Sequence, residues 1–360
     1  MGINRAKLVL EDETVFEGKF AGAGGEAIGK VIFNTGVVGY QEVITDPSNV
    51  GKIIVFTYPL IGNYGVSPKF NESERIWCQG LVIKEKSRIF SNWQAKESLE
   101  CFLERNRTIA ITDVDTRTLM VHLREKGEMG GIIASENSSV LKLLRKIESF
   151  KKRKSSFLEE ISIKKKRVCG KQNAKTRIGI LDLGLTKSII SQWENLGVQL
   201  ILLPYRTSFE ELRDLKLNGL IISHGPEEDL KLLGVVENIR PLIGKIPLLG
   251  ISTGFHVLAE ALGLKLKKMK LGHRGLNYPL MRPGSQKGEI TVQNHVWVVD
   301  RLEVDKKKEL KITGYNLNDQ TIEEIESKKL KLIGIEYYPL SLEAGKPHPI
   351  FTKFLRMTGR

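Results

Sequence analysis

Pro247-Leu248-Leu249-Gly250-Ile251-Ser252-Thr253-Gly254-Phe255-His256-Val257-Leu258-Ala259 is the stretch on which the fold turns. Its apolar start predicts a buried strand, the apolar positions after Gly254 predict a helix, and the two meet in a sharp turn at Ser252. Gly250 and Gly254 flank that residue in the pattern G-x-S-x-G, whose glycines permit a strained backbone that lifts one side chain into a cleft. Strand-like runs at 178–183, 199–203 and 219–223 precede it, each followed by a segment of helix length. That alternation predicts an α/β architecture, a parallel sheet with covering helices. Ligands in such sheets sit at the carboxyl ends of strands, where Ser223-His224-Gly225-Pro226 and Ser252-Thr253-Gly254 both fall.

Working outward, residues 1–145 read as a β-rich α+β domain. Short apolar runs such as Lys7-Leu8-Val9-Leu10, Val31-Ile32-Phe33 and Ile53-Ile54-Val55-Phe56 are separated by Gly-rich turns. A strand at 109–113 followed by a helical stretch at 116–126 makes this half mixed rather than all β. Residues 146–176 read as a basic linker, and 177–360 as the parallel-sheet domain. The whole chain carries a net charge of +14. Between Arg145 and Arg177 there are 13 Lys or Arg against 3 Glu, so this window supplies +10 of it. Lys151-Lys152-Arg153-Lys154 and Lys164-Lys165-Lys166-Arg167 have no interleaved aromatics and match no nucleic-acid-binding module, so the expectation is a solvated connector.

The 360 residues are enough for two domains with cores of their own, and a 41% hydrophobic content fits a globular chain. No apolar run approaches the roughly 18 residues of a membrane span, and the first nine residues lack the apolar core of a secretory signal. The expectation is a cytoplasmic protein. Cys78, Cys101 and Cys169 are odd in number and far apart, which supports neither a disulfide framework nor a zinc site.

A serine hydrolase needs a base within reach of Ser252 and a carboxylate to orient that base. The downstream histidines are His256, His273, His295 and His348, and no Asp lies between Ser252 and His295. The chain order Ser, acid, His is therefore open only to His348 with Asp300, Asp305 or Asp319.

A longer set of motifs reads differently. The first half carries Phe33-Asn34-Thr35-Gly36, Gly39-Tyr40-Gln41-Glu42, Thr45-Asp46-Pro47-Ser48, Thr57-Tyr58-Pro59 and Asp113-Val114-Asp115-Thr116-Arg117. The second carries Ser223 to Pro226, the turn at Ser252, Gly272-His273-Arg274-Gly275 with Asn277 and Pro279, and Gln293-Asn294-His295. Over nearly its whole length the chain resembles the small subunit of carbamoyl-phosphate synthetase, whose C-terminal half is a class I glutamine amidotransferase with a flavodoxin-like sheet. The resemblance implies a subunit that hydrolyses glutamine and passes ammonia through a tunnel to a large subunit. There ATP and bicarbonate become carbamoyl phosphate for the pyrimidine and arginine pathways. It implies no cofactor in this chain, ATP being used by the large subunit, and neither a nucleic acid nor a membrane as partner.

The family performs acyl transfer with a Cys at the elbow and with a His and a Glu in a later F-H-P-E motif. By resemblance those three positions hold Ser252, Tyr338 and Leu340, the motif aligning with Tyr337-Tyr338-Pro339-Leu340. A hydroxyl replaces a thiol of pKa about 8.5, a phenol of pKa about 10 replaces the base, and an alkyl group replaces its carboxylate partner. The positions implied for the glutamine pocket are Ser48, Gly225, Glu227, Thr253, His256, Asn294, Val296 and Trp297. Ser48, Gly225 and Asn294 keep the family residue type. Glu227 stands for a Gly, His256 for a Gln, Val296 for a Gly and Trp297 for a smaller aromatic, and together they imply a pocket reduced or closed to glutamine.

Each retained residue also has a local explanation. Ser48 after Asp46-Pro47 is a natural turn residue, Gly225-Pro226 an ordinary strand-end turn, and His256 a hydrogen-bonded helix residue. His273 and His295 have no metal-ligand spacing along the chain. Three functions stay open: a synthetase small subunit that has lost its glutaminase and acts structurally or in regulation, a Ser252-dependent amidase assisted by His256 or His224, and a non-catalytic paralogue that binds another partner.

Overall fold

The computed structural model describes residues 5–152, 156–194, 196–341, 343 and 345–359. The chain divides into two compact units, Met1–Lys154 and Ser155–Arg360.

In the first unit, β1 (Arg5–Leu10), β2 (Val15–Gly22), β3 (Ala27–Asn34), β4 (Lys52–Phe56), β6 (Gly80–Val82), β8 (Ile109–Thr112) and β9 (Met129–Ser135) close into a barrel. Their order around it is β1-β2-β8-β6-β4-β3-β9, while β5 (Leu60–Ile61) and β7 (Glu85–Lys86) pair separately. β4 is buried at every position, which explains a continuous apolar run where a half-exposed strand would alternate. Helices α1 (Tyr40–Thr45), α2 (Leu99–Arg105), α3 (Thr116–Lys126) and α4 (Val140–Lys152) complete the unit. Asp115 caps α3 by accepting the Thr118 N–H at 3.0 Å, and Gly127 ends it at φ 97°, so the helix expected at 116–126 has its boundaries written in its cap residues.

The second unit holds a ten-stranded mixed sheet. Its strands are β10 (Arg167–Gly170), β11 (Arg177–Asp182), β12 (Gln199–Pro204), β13 (Gly219–Ile222), β14 (Leu248–Ile251), β15 (Leu266–Met281), β16 (Gly288–Val299), β17 (Lys311–Asn316), β18 (Ile322–Ser327) and β19 (Leu332–Ile335). The parallel part has the order β12-β11-β13-β14-β19, the flavodoxin-like winding, and an antiparallel extension follows from β18 to β16. Helices α5 (Leu158–Ile161), α6 (Lys187–Glu194), α7 (Phe209–Asp214), α8 (Leu232–Ile239), α9 (Thr253–Ala261), α10 (Arg301–Asp305) and α11 (Pro349–Met357) alternate with or flank the strands. Because side chains alternate along a strand, Leu220, Ile222 and Leu248 enter one core cluster with Phe255 and Leu258 of α9. Ile221, Leu249 and Ile251 enter another with Trp193, Phe351 and Phe354.

The segment expected to be a solvated linker is built differently. Residues 146–152 finish α4, which sinks Leu143 and Ile147 into the first unit, one turn apart on a single face. Its lysines lie on the outer face, with Lys146 on Glu26 and Lys151 on Glu11. Further on, β10 pairs antiparallel with β12 as the edge strand of the second sheet, so Arg167 and the lysines before it flank an edge that would otherwise invite pairing. Arg153 and Lys154 lie outside the described residues.

Candidate functional site

β14 ends at Ile251 and α9 begins at Thr253, leaving Ser252 alone between them at φ 49°, ψ −113°. Its N–H donates to the Ile335 carbonyl of β19 at 2.7 Å, and its own carbonyl accepts from the N–H groups of Phe255 and His256 at 2.7 and 3.0 Å. The turn is thereby pinned from both sides in a conformation that costs a non-glycine residue free energy. The flanking glycines serve another purpose than the one expected, since neither has a positive φ. A Cβ on Gly254 would lie 2.0 Å from the Ile222 carbonyl oxygen, and one on Gly250 would lie 2.5 Å from that of Gly254. They are required because helix and strands approach so closely, while the strain sits on Ser252 itself. Ser252 is buried, with 1% of its surface exposed.

β13 lies beside β14, and its end brings Ser223-His224-Gly225 to the same edge of the sheet. Gly225 packs on Leu183, with no room for a side chain, and its carbonyl accepts the Thr253 hydroxyl at 2.6 Å. After β19 the chain carries Tyr338 to β16, where its N–H donates to the Val292 carbonyl at 2.8 Å. The Tyr338 ring rests on that of His224 with centroids 4.3 Å apart, and its hydroxyl lies 3.5 Å from Asn294 Nδ2. Leu340 packs against the apolar cluster that contains Ile189 and Trp193. Gln192 locks this segment by donating to the Pro339 carbonyl at 2.9 Å and accepting the His348 N–H at 2.8 Å. An apolar residue thus occupies the position implied for a carboxylate.

The other pocket positions are tied to each other. Glu227 is almost fully buried, and its carboxylate accepts the Val296 N–H at 2.8 and 3.0 Å and the Trp297 N–H at 3.0 Å. The guanidinium of Arg274, itself 1% exposed, lies 3.7 Å from the same carboxylate. Its Nη1 also donates to Asn294 Oδ1 at 2.6 Å. Register explains the grouping, because Arg274 of β15 pairs opposite Asn294 of β16. A groove of about 740 Å³ lies outside, lined by Glu227, His256, Glu260 and Trp297 among others. Ser48 belongs to the other unit, where it is buried in a turn and its N–H donates to Asp46 Oδ1 at 2.8 Å.

His256, one turn along α9 from the elbow, pairs its Nε2 with Glu336 at 3.0 and 3.2 Å. Burial pulls the imidazole down, and the adjacent Glu336 carboxylate more than offsets this, so its pKa stands above the usual histidine value. Burial pushes Glu336 up to about 7. Beside them, His273, His295 and Glu323 place one donor atom each within 4.8 Å of one another. Spacing along the chain argues against a metal site, but cross-strand pairing sets His273 opposite His295. All three are engaged in hydrogen bonds: His273 with Asp319 at 2.8 Å, His295 with Gln293 at 3.0 Å, and Glu323 with Gln293 and Asn316 at 2.8 and 2.9 Å. Burial presses His295 down to about 3. Burial also lowers His273, but hydrogen bonds to Asp319 and Glu323 raise it to about 9.

His348 and two of the three acids considered for a serine triad are committed elsewhere, and Asp305 is exposed at the end of α10. His348 caps α11 by accepting the Ile350 N–H at 3.2 Å, Asp300 caps α10, and Asp319 holds His273. Arg274, Glu323 and Glu336 are not among the candidate site residues read from the sequence, although Glu323, a charged residue inside the almost fully buried strand β18, is a signal in its own right.

Fold and elbow together define an amidotransferase-type α/β domain that follows a barrel domain. Residues 8–133 match the family described as carbamoyl-phosphate synthase small chain, CPSase domain, and residues 179–357 match glutamine amidotransferase class-I. Carbamoyl phosphate synthase small chain of Clostridium perfringens is 35% identical, covering 98% of this chain and 99% of the relative. That of Syntrophotalea carbinolica is 36% identical over 93% and 92%. The pyrimidine-specific small chain of Bacillus subtilis is 33% identical over 98% and 96%. The chain belongs to the carbamoyl-phosphate synthase small-chain family.

Proposed function

We propose that this small chain hydrolyses no glutamine and serves as a structural or regulatory partner of a carbamoyl-phosphate synthase large subunit, which draws on free ammonia. The observation that carries the reading is the environment of Ser252. Tyr338 stands at the position that the resemblance implies for the family base, its ring tilted against that of His224 and its hydroxyl toward Asn294. A phenol ionises near pH 10 and is a poor acceptor for a serine proton at neutral pH. Leu340 offers no oxygen to orient a base. Outside this centre and its pocket both domains of the family are present, which suits a subunit retained for assembly.

The test is reconstitution with the large subunit, following glutamate release and carbamoyl phosphate synthesis from glutamine or ammonia. Synthesis should depend on ammonia, and glutamate should appear no faster than with the large subunit alone. Robust glutamate release by the pair would overturn the reading.

One observation favours a second reading. The buried His256–Glu336 pair is a histidine-carboxylate couple one helical turn from Ser252. If it activates that hydroxyl, an acylating probe will label Ser252 covalently, and Ser252→Ala or His256→Gln will abolish the labelling.

A further inference from the structure

We propose that Glu227 is a tethered ligand: its carboxylate fills a carboxylate-binding cradle made by the N–H groups of Val296 and Trp297 beside Arg274, and its removal opens that cradle to a free small carboxylate. The proposal rests on the reading that the pocket no longer turns over glutamine, and it names what closes it.

Two consecutive backbone N–H groups converging on one carboxylate make an anion site, and here they do so at 2.8–3.0 Å. Consecutive residues of a regular strand point their N–H groups to opposite sides, so a carboxylate that takes both marks a local departure from the ladder. The pairing of β15 with β16 is irregular nearby, with a shift between Lys268 and His273. Arg274 supplies the countercharge. It is buried, held by Asn294, and lies 3.7 Å from the carboxylate, so a guanidinium stands beside the cradle.

The carboxylate bound there comes from a bend just after β13, on a different element from the amides it satisfies. Glu227 also lines the groove that opens to solvent beside Trp297 and His256. Truncating its side chain leaves two N–H groups and a guanidinium facing a space one carboxylate wide, with access from outside. Unsatisfied donors of this kind bind a carboxylate in preference to chloride, because both N–H groups converge on one carboxylate oxygen while the Val296 N–H also reaches the second. The ligand class is therefore a small monocarboxylate, including the carboxylate end of an amino acid.

The experiment uses the full chain with Glu227→Ala, titrated with acetate and separately with L-glutamate, chloride at equal ionic strength serving as control. Thermal unfolding and the amide NMR shifts of residues 296 and 297 are followed. Acetate at about ten times its apparent Kd should raise the midpoint of the variant and move both amides, as binding to the folded state alone requires, and leave the wild type unchanged. A folded variant that responds to neither carboxylate, or a wild type that responds equally, overturns the tether. If Glu227→Ala does not fold, Glu227→Gln gives the answer. Its amides 296 and 297 should shift upfield as the charged acceptor is lost, and unmoved amides overturn the proposal. Glutamate release by the wild-type pair would sink the proposed function, whereas a silent wild type with an unresponsive Glu227→Ala sinks only the tether.

Discussion

Ser252 holds a backbone conformation that suits glycine, at φ 49° and ψ −113°. An enzyme tolerates such strain when the side chain does chemistry, and a scaffold without that chemistry gains by releasing it. Ser252→Gly is therefore expected to stabilise the protein by about 1 kcal/mol in urea titrations, since strain of this kind costs of order 1–3 kcal/mol and glycine loses some of that gain to chain entropy. Loss of stability would mean that the hydroxyl makes a contact the fold needs. The triad that the resemblance implies can be written into the chain by Ser252→Cys, Tyr338→His and Leu340→Glu. On the proposed reading of a pocket closed to glutamine, we predict glutamate release within about tenfold of background for that triple variant, because a nucleophile contributes little where its substrate is not bound. Glu227 holds the amides of Val296 and Trp297, and a carboxylate introduced at position 340 would face an apolar cluster. Adding Glu227→Gly, Val296→Gly and Trp297→Phe should raise the rate further. High activity from the triple variant alone would show that the pocket is open.

At the scale of elements, the β15–β16 hairpin and the residue that follows β19 carry titrating groups of the second unit. His273 has a folded pKa of about 9, above its reference of 6.5, so the stability it contributes is complete below 6.5 and is lost as pH rises through 9. Glu336, raised from 4.5 to about 7, likewise withdraws stability as pH rises across that interval. His295 acts in the opposite sense: lowered from 6.5 to about 3, it contributes stability present above 6.5 that is lost as pH falls toward 3. Stability should be greatest between about pH 4.5 and 6.5, where the effects of His295 and Glu336 oppose each other, and should fall on both sides. Between pH 7 and 9 the loss should be on the order of 2 kcal/mol by urea midpoint, and His273→Asn should flatten that limb. A wild-type profile that is level from 7 to 9 would contradict this account of the hairpin.

For the whole molecule, the division after Lys154 and the separate cores on either side of it lead us to expect that residues 155–360 unfold cooperatively when produced alone. Circular dichroism during urea titration checks this, and a gradual, non-cooperative curve would refute it. Among the described residues no helix is long and apolar enough to cross a membrane. The basic stretch reads as a connector when its charge is counted without the apolar residues around it. Leu143 and Ile147 recur at helical spacing across its start, and that period makes α4 part of the first unit. Much of the architecture was legible because its signals are local. The apolar runs that became β11 to β14, the cap residues of α3 and the glycines around Ser252 act through chemistry at their own positions. The residue types at Ser252, Tyr338 and Leu340, on which the proposed loss of a thiol, an imidazole and a carboxylate rests, are likewise read position by position. The partnerships were decided only by tertiary structure. Glu227 meets amides some 70 residues away, His256 meets Glu336 80 residues away, and His273 faces His295 through strand register. Sequence spacing is silent on such contacts, because sheet pairing and the closure of the chain set which buried donors and charges lie within hydrogen-bond reach.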